Sequence, residues 1–352
     1  MYKYYRPVFK NYIQKCTYYT SRKELRTTSK MRCSDDTSET EAQLLKECRT
    51  VVPPMAANLY KGRAGRIGVI GGSLEYTGAP YFSAISALKV GCDLSHVFCP
   101  LNAAPVIKSY SPELIVHPIL DAGNAVELIK PWLPRLHILI IGPGLGKDSG
   151  ILETVGSIIQ FCREQSDYAK PLVIDADGLF MVTKNPKVIL NYPKGVILTP
   201  NAIEFSRLAK SVLDKDWEAT SDPEPEHVRT LAVALGSNTT VVHKGQSDVI
   251  ATASVGVSVV KCATGGSGRR CGGQGDLLSG SLGTFYFWAG LKPAHDPPER
   301  NGSFPPAVVA SYAACRLTRE CNSRAVAKAG RSTLTTDMLE EIHPAFEELF
   351  EN

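Results

Sequence analysis

A glycine-rich segment in the C-terminal third of the chain constrains its fold and chemistry most strongly. Residues 265–276 hold six glycines around two arginines and end in Asp276, and an apolar run, residues 277–282, follows at once. The pattern predicts a tight loop that leads into a helix. Because a helix start presents unpaired N–H groups and a partial positive charge, the loop is suited to hold a phosphate, with Asp276 beside it to accept a proton. Taken alone, the segment also fits a flexible surface loop.

Short apolar runs that alternate with helical patterns predict the fold class. The runs are residues 67–70, 94–98, 136–141, 172–174, 196–198 and 240–243. Their alternation indicates an α/β fold, a mainly parallel central sheet with helices on both faces, in which ligands bind beyond the C-terminal ends of the strands. Residues 249–251 and 257–260 lie closer together and predict an antiparallel pair, and two helices, near 305–328 and 336–350, end the chain.

The N-terminal segment differs in composition from the rest. Residues 1–32 hold nine Lys or Arg and one acidic residue among many Ser, Thr and Tyr, which is typical of a mitochondrial targeting segment. A disordered tail without a targeting role is the alternative. Met31 offers a second start that would omit most of the segment and give a cytosolic form. Residues 33–52 predict a helical lead-in, and residues 53–352 a catalytic domain.

Charge and cysteine spacing disfavour several classes of function. Beyond residue 32 the chain holds 30 basic and 34 acidic residues, so its charge gives no support for nucleic-acid binding. No stretch of about 18 apolar residues occurs, which argues against a membrane span. The ten cysteines form no CxxC pair and the seven histidines no HxxxH pair, so zinc spacing is absent. The oligomeric state stays open, a homo-oligomer included.

Glycine turns follow two of the predicted strands. Gly71-Gly72-Ser73 comes after residues 67–70, and Gly142-Pro143-Gly144-Leu145-Gly146 after residues 136–141. Small residues there let a ligand approach the backbone, although strand-to-helix turns often use glycine for its conformation alone. The second turn lacks the GxGxxG spacing of dinucleotide-binding folds, and GxxxxGK[ST] is absent from the sequence. A Rossmann dehydrogenase and a P-loop enzyme are therefore disfavoured.

Carboxylates follow two further strands. Asp175 and Asp177 end residues 172–174, where they could bind a metal, orient a hydroxyl or cap the next helix. Asn201 and Glu204 share one face of a first helical turn, where they could hold a hydrated magnesium ion over phosphates, and a helix cap is equally consistent. Lys244 lies in a turn between two predicted strands, placed to meet a phosphate.

The order of these motifs resembles that of the ribokinase-like superfamily, in which an NxxE segment assists magnesium and a GxGD segment supplies an anion hole and a base. Residues 201–204 and 273–276 match the two segments. Within that superfamily, residues 44–350 look most like the ATP-dependent NAD(P)H-hydrate dehydratases. The likeness rests on Gly71-Gly72-Ser73, Gly78-Ala79-Pro80-Tyr81, residues 142–146, Asp175-Ala176-Asp177-Gly178, Thr199-Pro200-Asn201, Lys244-Gly245 and residues 268–276.

This resemblance implies repair of hydrated NADH and NADPH, in which water has added to the nicotinamide ring. Because hydroxide is a poor leaving group, ATP would phosphorylate the ring hydroxyl, and departure of phosphate would restore the double bond. Asp276 would be the base, and the N–H groups of Gly273, Gln274 and Gly275 would stabilise the transferred phosphoryl group. The helix start should lower the pKa of Asp276, so that it accepts its proton late.

The resemblance also implies ATP and Mg²⁺ and a set of residues that bind them. The ATP site would comprise Lys244, Gly245, Gln246, Ser247, Asp248, Gly266, Ser267, Gly268, Arg269, Arg270, Cys271, Gly272, Gly273, Gln274 and Gly275. The hydrated nucleotide would contact Gly144, Asn201, Ala202, Ile203, Glu204, Phe205, Ser206, Arg207, Asp276 and Ala79. Glu204 would assist the metal through a water molecule.

Two rival functions remain open on the sequence. A kinase of the same fold that acts on a vitamin precursor would release a phosphorylated product and no free phosphate. A nucleotide-binding protein without catalysis is disfavoured by the intact GxGD and NxxE segments.

Overall fold

The computed structural model describes residues 36–55, 62–254, 259–291 and 304–351, so the predicted targeting segment lies outside the described residues. Helix α1 (Asp36–Val51) begins the described chain, and residues from Thr40 onward belong to one compact unit. Within that unit, Leu44 and Cys48 are fully buried, and Arg49 Nε donates to the carbonyl of Leu349 (2.9 Å). Residues 40–51 therefore pack against the C-terminal part of the fold.

One sheet of nine strands runs through the described residues in the order β3-β2-β1-β4-β5-β6-β7-β8-β9. The strands are β1 (Arg66–Ile70), β2 (Leu94–Cys99), β3 (Ile115–Pro118), β4 (Ile138–Ile141), β5 (Leu172–Ile174), β6 (Val196–Leu198), β7 (Thr239–His243), β8 (Asp248–Thr252) and β9 (Val260–Cys262). Neighbours from β3 to β7 are parallel, whereas β8 is antiparallel to both of its neighbours, β7 and β9. Every residue of β4, β5 and β6 is buried, which explains their continuous apolar runs.

Helices cover both faces of the sheet. They are α2 (Gly78–Val90), α3 (Ala104–Tyr110), α4 (Ala125–Ile129), α5 (Ser149–Glu164), α6 (Asp177–Lys184), α7 (Ala202–Leu213), α8 (Pro225–Leu235), α9 (Gln274–Gly290), α10 (Pro306–Ala329), α11 (Thr335–Glu340) and α12 (Ile342–Phe346), with short 3₁₀ turns at Leu133–Arg135, Pro186–Val188 and Gly330–Ser332. Successive residues of a strand point to opposite faces of the sheet and belong to different hydrophobic clusters. Ile140 belongs to the cluster formed with α2, α9 and α10, and Ile141 to the cluster formed with α5 to α8.

The strand register brings the predicted motifs to one edge of the sheet. Ile70 pairs with Ile141, Ile141 with Ile174, and Ile174 with Leu198, so the turns after β1, β4, β5 and β6 emerge side by side. Strand β7 is parallel to β6 and ends at the same edge, where Lys244 follows. Parallel pairing thus gathers motifs that are far apart in the sequence.

The predicted α/β fold is confirmed, with three local differences. Strand β3 was missed because it is a short edge strand that carries His117 and ends in Pro118, which has no N–H to donate. The second antiparallel strand is β9 rather than residues 257–260, of which 257 and 258 lie outside the described residues. The predicted last helix is divided into α11, α12 and a π-helical turn (Glu347–Glu351), since Pro344 cannot donate to the carbonyl of Glu340.

None of the helices in the described ranges combines the length and the apolar character needed to cross a membrane.

Candidate active site

The turns after β1, β4 and β5 pack backbone against backbone. A Cβ on Gly71 would overlap the carbonyl oxygen of Pro143, and a Cβ on Gly142 would overlap that of Asp175. Gly142 also has a φ of +123°, which residues with a side chain rarely adopt. The N–H of Gly72 donates to the carbonyl of Pro143 (3.0 Å). These glycines therefore bring three strand ends into direct contact and position Asp175.

Asp175 and Asp177 follow β5 in a segment whose backbone is strained. Ala176 between them has a φ of +46°, a conformation that costs about 1–3 kcal/mol for a residue with a Cβ. Asp175 is almost fully buried and accepts a hydrogen bond from Thr199 Oγ1 (2.8 Å), while Asp177 accepts one from the N–H of Gly146 (2.9 Å). No side chain caps the start of α6. Helix capping therefore does not explain Asp175.

Lys244 forms the positive centre of this edge. Its Nζ makes an ion pair with Asp175 Oδ1 at 2.7 Å. A Cβ on Gly275 would lie 3.5 Å from Lys244 Nζ and 3.7 Å from Asp175 Oδ2, so the glycine-rich loop runs directly beside the pair. Burial by itself lowers the pKa of Lys244, but Asp175, Glu204 and Asp276 raise it above its ordinary value. The ammonium group therefore stays charged at the place predicted for a phosphate.

Asp276 is the third residue of α9. Burial raises its pKa well above the ordinary value, Asp175 and Asp177 raise it further, and Lys244 opposes them. The lowered pKa predicted from the helix start is therefore wrong. Burial and the neighbouring carboxylates outweigh the helix dipole, whose effect at an exposed site is only about 0.3–1 kcal/mol. A carboxylate with a raised pKa is a stronger base, which suits proton abstraction from a hydroxyl.

Asn201 and Glu204 form a reciprocal cap at the start of α7. The N–H of Glu204 donates to Asn201 Oδ1 (3.0 Å), and the N–H of Asn201 donates to Glu204 Oε2 (2.8 Å). Burial raises the pKa of Glu204, Lys244 lowers it and Asp175 raises it, so its carboxylate also interacts with the charges around Lys244. The helix cap is therefore confirmed, and the role of Glu204 at a magnesium ion stays a prediction.

The other predicted substrate residues of α7 differ in their exposure to solvent. Phe205 is buried in the core, and Ser206 Oγ donates to the carbonyl of Trp217 (2.7 Å), so both side chains hold the helix in place. Ile203 and Arg207 are exposed, and a ligand outside the helix can reach them.

Gly144, in the turn after β4, lies against Ala79, in the first turn of α2. A Cβ on Gly144 would lie 3.1 Å from Ala79 Cβ and 2.6 Å from the carbonyl oxygen of Tyr76. Gly146, two residues further on, donates to Asp177, which raises the pKa of Asp276. The predicted substrate residues Gly144 and Ala79 are therefore brought together, in a turn that also contacts Asp177.

Side chains from α10 and α11 hold the glycine-rich loop. Thr335 Oγ1 donates to the carbonyl of Gly272 (2.6 Å). Ser267 Oγ donates to Asn322 Oδ1 (2.7 Å), and Asn322 Nδ2 donates to the carbonyl of Arg269 (3.1 Å). Because Asn322 is fully buried, the loop is anchored to the core and is not a flexible surface loop.

Arg319 of α10 joins the glycine-rich loop to the turn of residues 244–248. It is 5% exposed, and its Nε makes an ion pair with Asp248 Oδ2 at 2.7 Å. Its Nη2 donates to the carbonyl of Gln246 (2.8 Å) and its Nη1 to that of Gly265 (3.3 Å), while its own carbonyl accepts from the N–H of Gly266 (3.0 Å). One buried side chain therefore sets the distance between the two predicted ATP loops.

A cavity of about 640 Å³ opens between these loops and the start of α7. Its lining joins ten predicted site residues, Asn201, Ala202, Lys244, Gly245, Gln246, Asp248, Arg270, Cys271, Gln274 and Gly275, with four others, Ser221, Leu278, Thr318 and Arg319. Its size suits a nucleotide. A groove of about 750 Å³ against α5 and α6 contains none of the predicted residues, so volume alone does not identify the site.

Sequence comparison assigns the family. A family model described as NAD(P)H-hydrate dehydratase matches residues 67–344. The chain belongs to this family. It is 53% identical over 307 residues to the human ATP-dependent (S)-NAD(P)H-hydrate dehydratase, which covers 87% of this chain and 84% of the relative. It is 52% identical over 315 residues to the Aedes aegypti protein of the same name, with 90% and 87% covered.

Solved structures support the fold. A Streptococcus mutans protein described as hypothetical matches with a TM-score of 0.69 at 20% identity, over 87% of this chain and 98% of that one. The Bacillus subtilis ADP/ATP-dependent NAD(P)H-hydrate dehydratase, co-crystallised with ATP/Mg²⁺, matches with a TM-score of 0.61 at 21% identity, over 87% and 97%. Arabidopsis thaliana ribokinase, complexed with ribose and ATP, matches at 0.51 and 11% identity, over 80% and 99%.

Sequence reasoning about this dehydratase family member missed the contribution of α10. Arg319 and Asn322 lie more than 40 residues beyond the glycine-rich loop and belong to no local motif. One signal was available, because Arg316 and Arg319 follow an uncharged run, residues 307–315, of mainly small and apolar residues, and both arginines are buried. Buried arginines need partners, which points to polar groups on a neighbouring loop.

Proposed function

We propose that this protein removes water from hydrated NADH and NADPH, with ATP as the phosphoryl donor. The observation that carries the proposal is that Lys244 and Gly275 line a nucleotide-sized cavity and lie directly beside Asp175, whose charge, like that of Lys244, acts on Asp276. Relatives more than 50% identical carry the name ATP-dependent (S)-NAD(P)H-hydrate dehydratase. Phosphorylation of the ring hydroxyl converts a poor leaving group into phosphate, whose departure restores the double bond.

Asp276 accepts the proton of the ring hydroxyl. Its carboxylate has a raised pKa through burial and the neighbouring Asp175, and is therefore a stronger base than an exposed aspartate. Lys244 opposes that shift and lowers the pKa of Asp276. The base is thus tuned by one cation and two carboxylates.

The start of α9 stabilises the negative charge of the transferred phosphoryl group. Since the helix begins at Gln274, the N–H groups of its first turn lack acceptors earlier in the helix. The N–H of Gln274 makes only a long hydrogen bond, 3.4 Å, to the carbonyl of Cys271. Together with Lys244 these donors form an anion site that is fixed before the substrates arrive.

The residues present also fit a magnesium ion. Across the ranges that the structure describes, no three His, Cys, Asp or Glu side chains form a metal-binding cluster. Mg²⁺ typically takes one or two carboxylates together with substrate phosphates and water, and Glu204 is the carboxylate that we assign to it. When bound, the ion would neutralise phosphate charge.

The decisive experiment supplies ATP and hydrated NADH and follows free phosphate and NADH absorbance together. Both should rise in equal amounts. A stable phosphorylated product without free phosphate would instead support the rival kinase function.

Asp276→Asn tests the base. We expect loss of NADH recovery of at least about 100-fold with the protein still folded. Asp148→Asn is the matched control, because Asp148 caps the start of α5, outside the site, and asparagine caps equally well. Full activity in Asp276→Asn would remove Asp276 from the mechanism.

We also propose that residues 1–32 direct the protein to mitochondria and that translation from Met31 gives a cytosolic form, because nearly all charges in that segment are basic. Fusion of residues 1–35 to a fluorescent protein should give mitochondrial fluorescence, and a fusion of residues 31–352 should stay cytosolic.

A further inference from the structure

Thr318 is a polar side chain that the site described above leaves unexplained. It lies on α10, is 5% exposed, and its hydroxyl oxygen is buried without a hydrogen-bond partner. Leaving a buried hydroxyl unpaired costs about 1–3 kcal/mol. Thr318 nonetheless lines the cavity of about 640 Å³. A hydroxyl without a protein partner, on a residue that lines a cavity, indicates a partner that arrives with a ligand.

The apolar part of the cavity lining indicates which part of a nucleotide Thr318 meets. Lys244 and Gly275 mark the end that receives phosphate. Leu278 lies one helical turn beyond Gln274, is 5% exposed and supplies an apolar wall to the same cavity as Thr318. An apolar side chain beside a hydroxyl suits the nucleoside, whose base is apolar on its faces and polar at its edges.

The neighbouring polar groups leave Thr318 available for this role. Arg319, the next residue, is already engaged by Asp248 and by the carbonyls of Gln246 and Gly265. A threonine in a helix divides between two χ1 rotamers, so a bound ligand can engage its hydroxyl by a rotation about one bond.

We propose that Thr318 is a nucleotide-binding residue, whose hydroxyl forms a hydrogen bond with the nucleoside of ATP. The proposal rests on the proposed function only in that ATP occupies this cavity. It adds to the glycine-rich loop and the Lys244 turn a contact from α10, and it gives the unpaired hydroxyl a partner.

Thr318→Val removes the hydroxyl and keeps the shape. The unliganded variant should have an unchanged or higher Tm, because a buried unpaired group is removed. Its Tm should rise less on addition of ATP, and its KM for ATP should increase about threefold to tenfold, while kcat and the KM for hydrated NADH stay the same. Thr318→Ser keeps the hydroxyl and should restore ATP affinity.

Thr284→Val is the matched control for a merely structural threonine. Thr284 of α9 is fully buried, and its hydroxyl donates to the carbonyl of Ala87 (3.2 Å). Its loss should lower the Tm of the unliganded protein and leave the ATP-induced rise in Tm intact. Thr318→Val would overturn the proposal if it behaved in this way, with a lower Tm and an unchanged KM for ATP.

The ATP-induced rise in Tm is measured without hydrated NADH, so it reports on nucleotide binding alone. A wild-type protein that binds ATP but converts no hydrate would defeat the proposed function and leave the Thr318 comparison valid. A smaller ATP-induced rise in Thr318→Val would then still support the proposal, and an unchanged rise would still refute it.

Discussion

The two sides of the candidate active site are held by different kinds of contact. On one side, the turns after β1, β4 and β5 touch through their backbones, at Gly71 and Gly142, with no room for a Cβ. On the other, residues 244–248 and 265–276 are held by side chains of α10 and α11, chiefly Arg319 and Asn322. The first side depends on the absence of side chains, so local glycines reveal it. The second depends on side chains supplied from far along the chain.

The backbone side should be the more sensitive to a single methyl group. Gly142→Ala should lower the free energy of unfolding by about 4 kcal/mol or more, because the added Cβ overlaps the carbonyl oxygen of Asp175 at a positive φ. Chemical denaturation measures the change. Gly156→Ala in α5, where a Cβ meets nothing within 4 Å, should instead raise the free energy of unfolding by about 0.5–1 kcal/mol. Similar small effects at both glycines would show that the turns are not close-packed.

The next largest loss of stability is expected on the side that is held by side chains, at the buried ion pair of Arg319 and Asp248. Arg319→Met leaves Asp248 without its cation and should lower the free energy of unfolding by about 3–5 kcal/mol, while also raising the KM for ATP. Arg324→Met is the control on the same helix, since its partners Glu320 and Glu348 lie nearer the surface, and it should cost less than about 1 kcal/mol. Adding Asp248→Asn to Arg319→Met should recover part of the loss. Equal effects of the two arginine variants would contradict the role of Arg319.

A single hydrogen bond on that side should have a smaller effect. Ser267→Ala removes the bond to Asn322 Oδ1 and should lower the free energy of unfolding by about 1 kcal/mol. Because the loop is less firmly held, the KM for ATP should rise about twofold to fivefold. Ser157→Ala, which removes an exposed bond within α5, should change the free energy of unfolding by less than about 0.5 kcal/mol. An unchanged KM in Ser267→Ala would show that this anchor does not shape the ATP site.

The last effect is a pH dependence, and it concerns Asp276, whose pKa is shifted by charges from both sides, upward by Asp175 and Asp177 and downward by Lys244. Its pKa in the folded protein is raised above the ordinary 3.8, so folding favours its protonated form. The stability that it contributes is therefore present below that value and is lost as the pH rises through the pKa in the folded protein. Relative to the wild type, Asp276→Asn should gain stability over this range, which thermal unfolding at several pH values measures. The wild-type kcat/KM should rise with pH at a midpoint above 3.8. A midpoint at or below the ordinary value would contradict the raised pKa.

Local sequence patterns were sufficient for much of this protein. The apolar runs of β4, β5 and β6 predicted buried parallel strands, because both faces of such strands are covered. The strand-end positions of Asp175, Asn201 and Lys244 predicted their convergence, since parallel strands end at one edge. The edge strand β3 could not be predicted in this way, because its pairing partner, not its own composition, makes it a strand.

By itself, then, the sequence determined the fold class, the edge at which the site lies and the segments that face it, since these follow from chain direction, apolar periodicity and glycine conformation. Only the tertiary structure decided the electrostatics and the anchors. Asp276 has a raised pKa because it is buried and because the carboxylates of Asp175 and Asp177 act on it. Its place at a helix start alone indicates a lowered pKa. Arg319, Asn322 and Thr318 reach the site because α10 packs against α9. Burial and electrostatic interactions depend on distances in space, which separation along the chain does not determine.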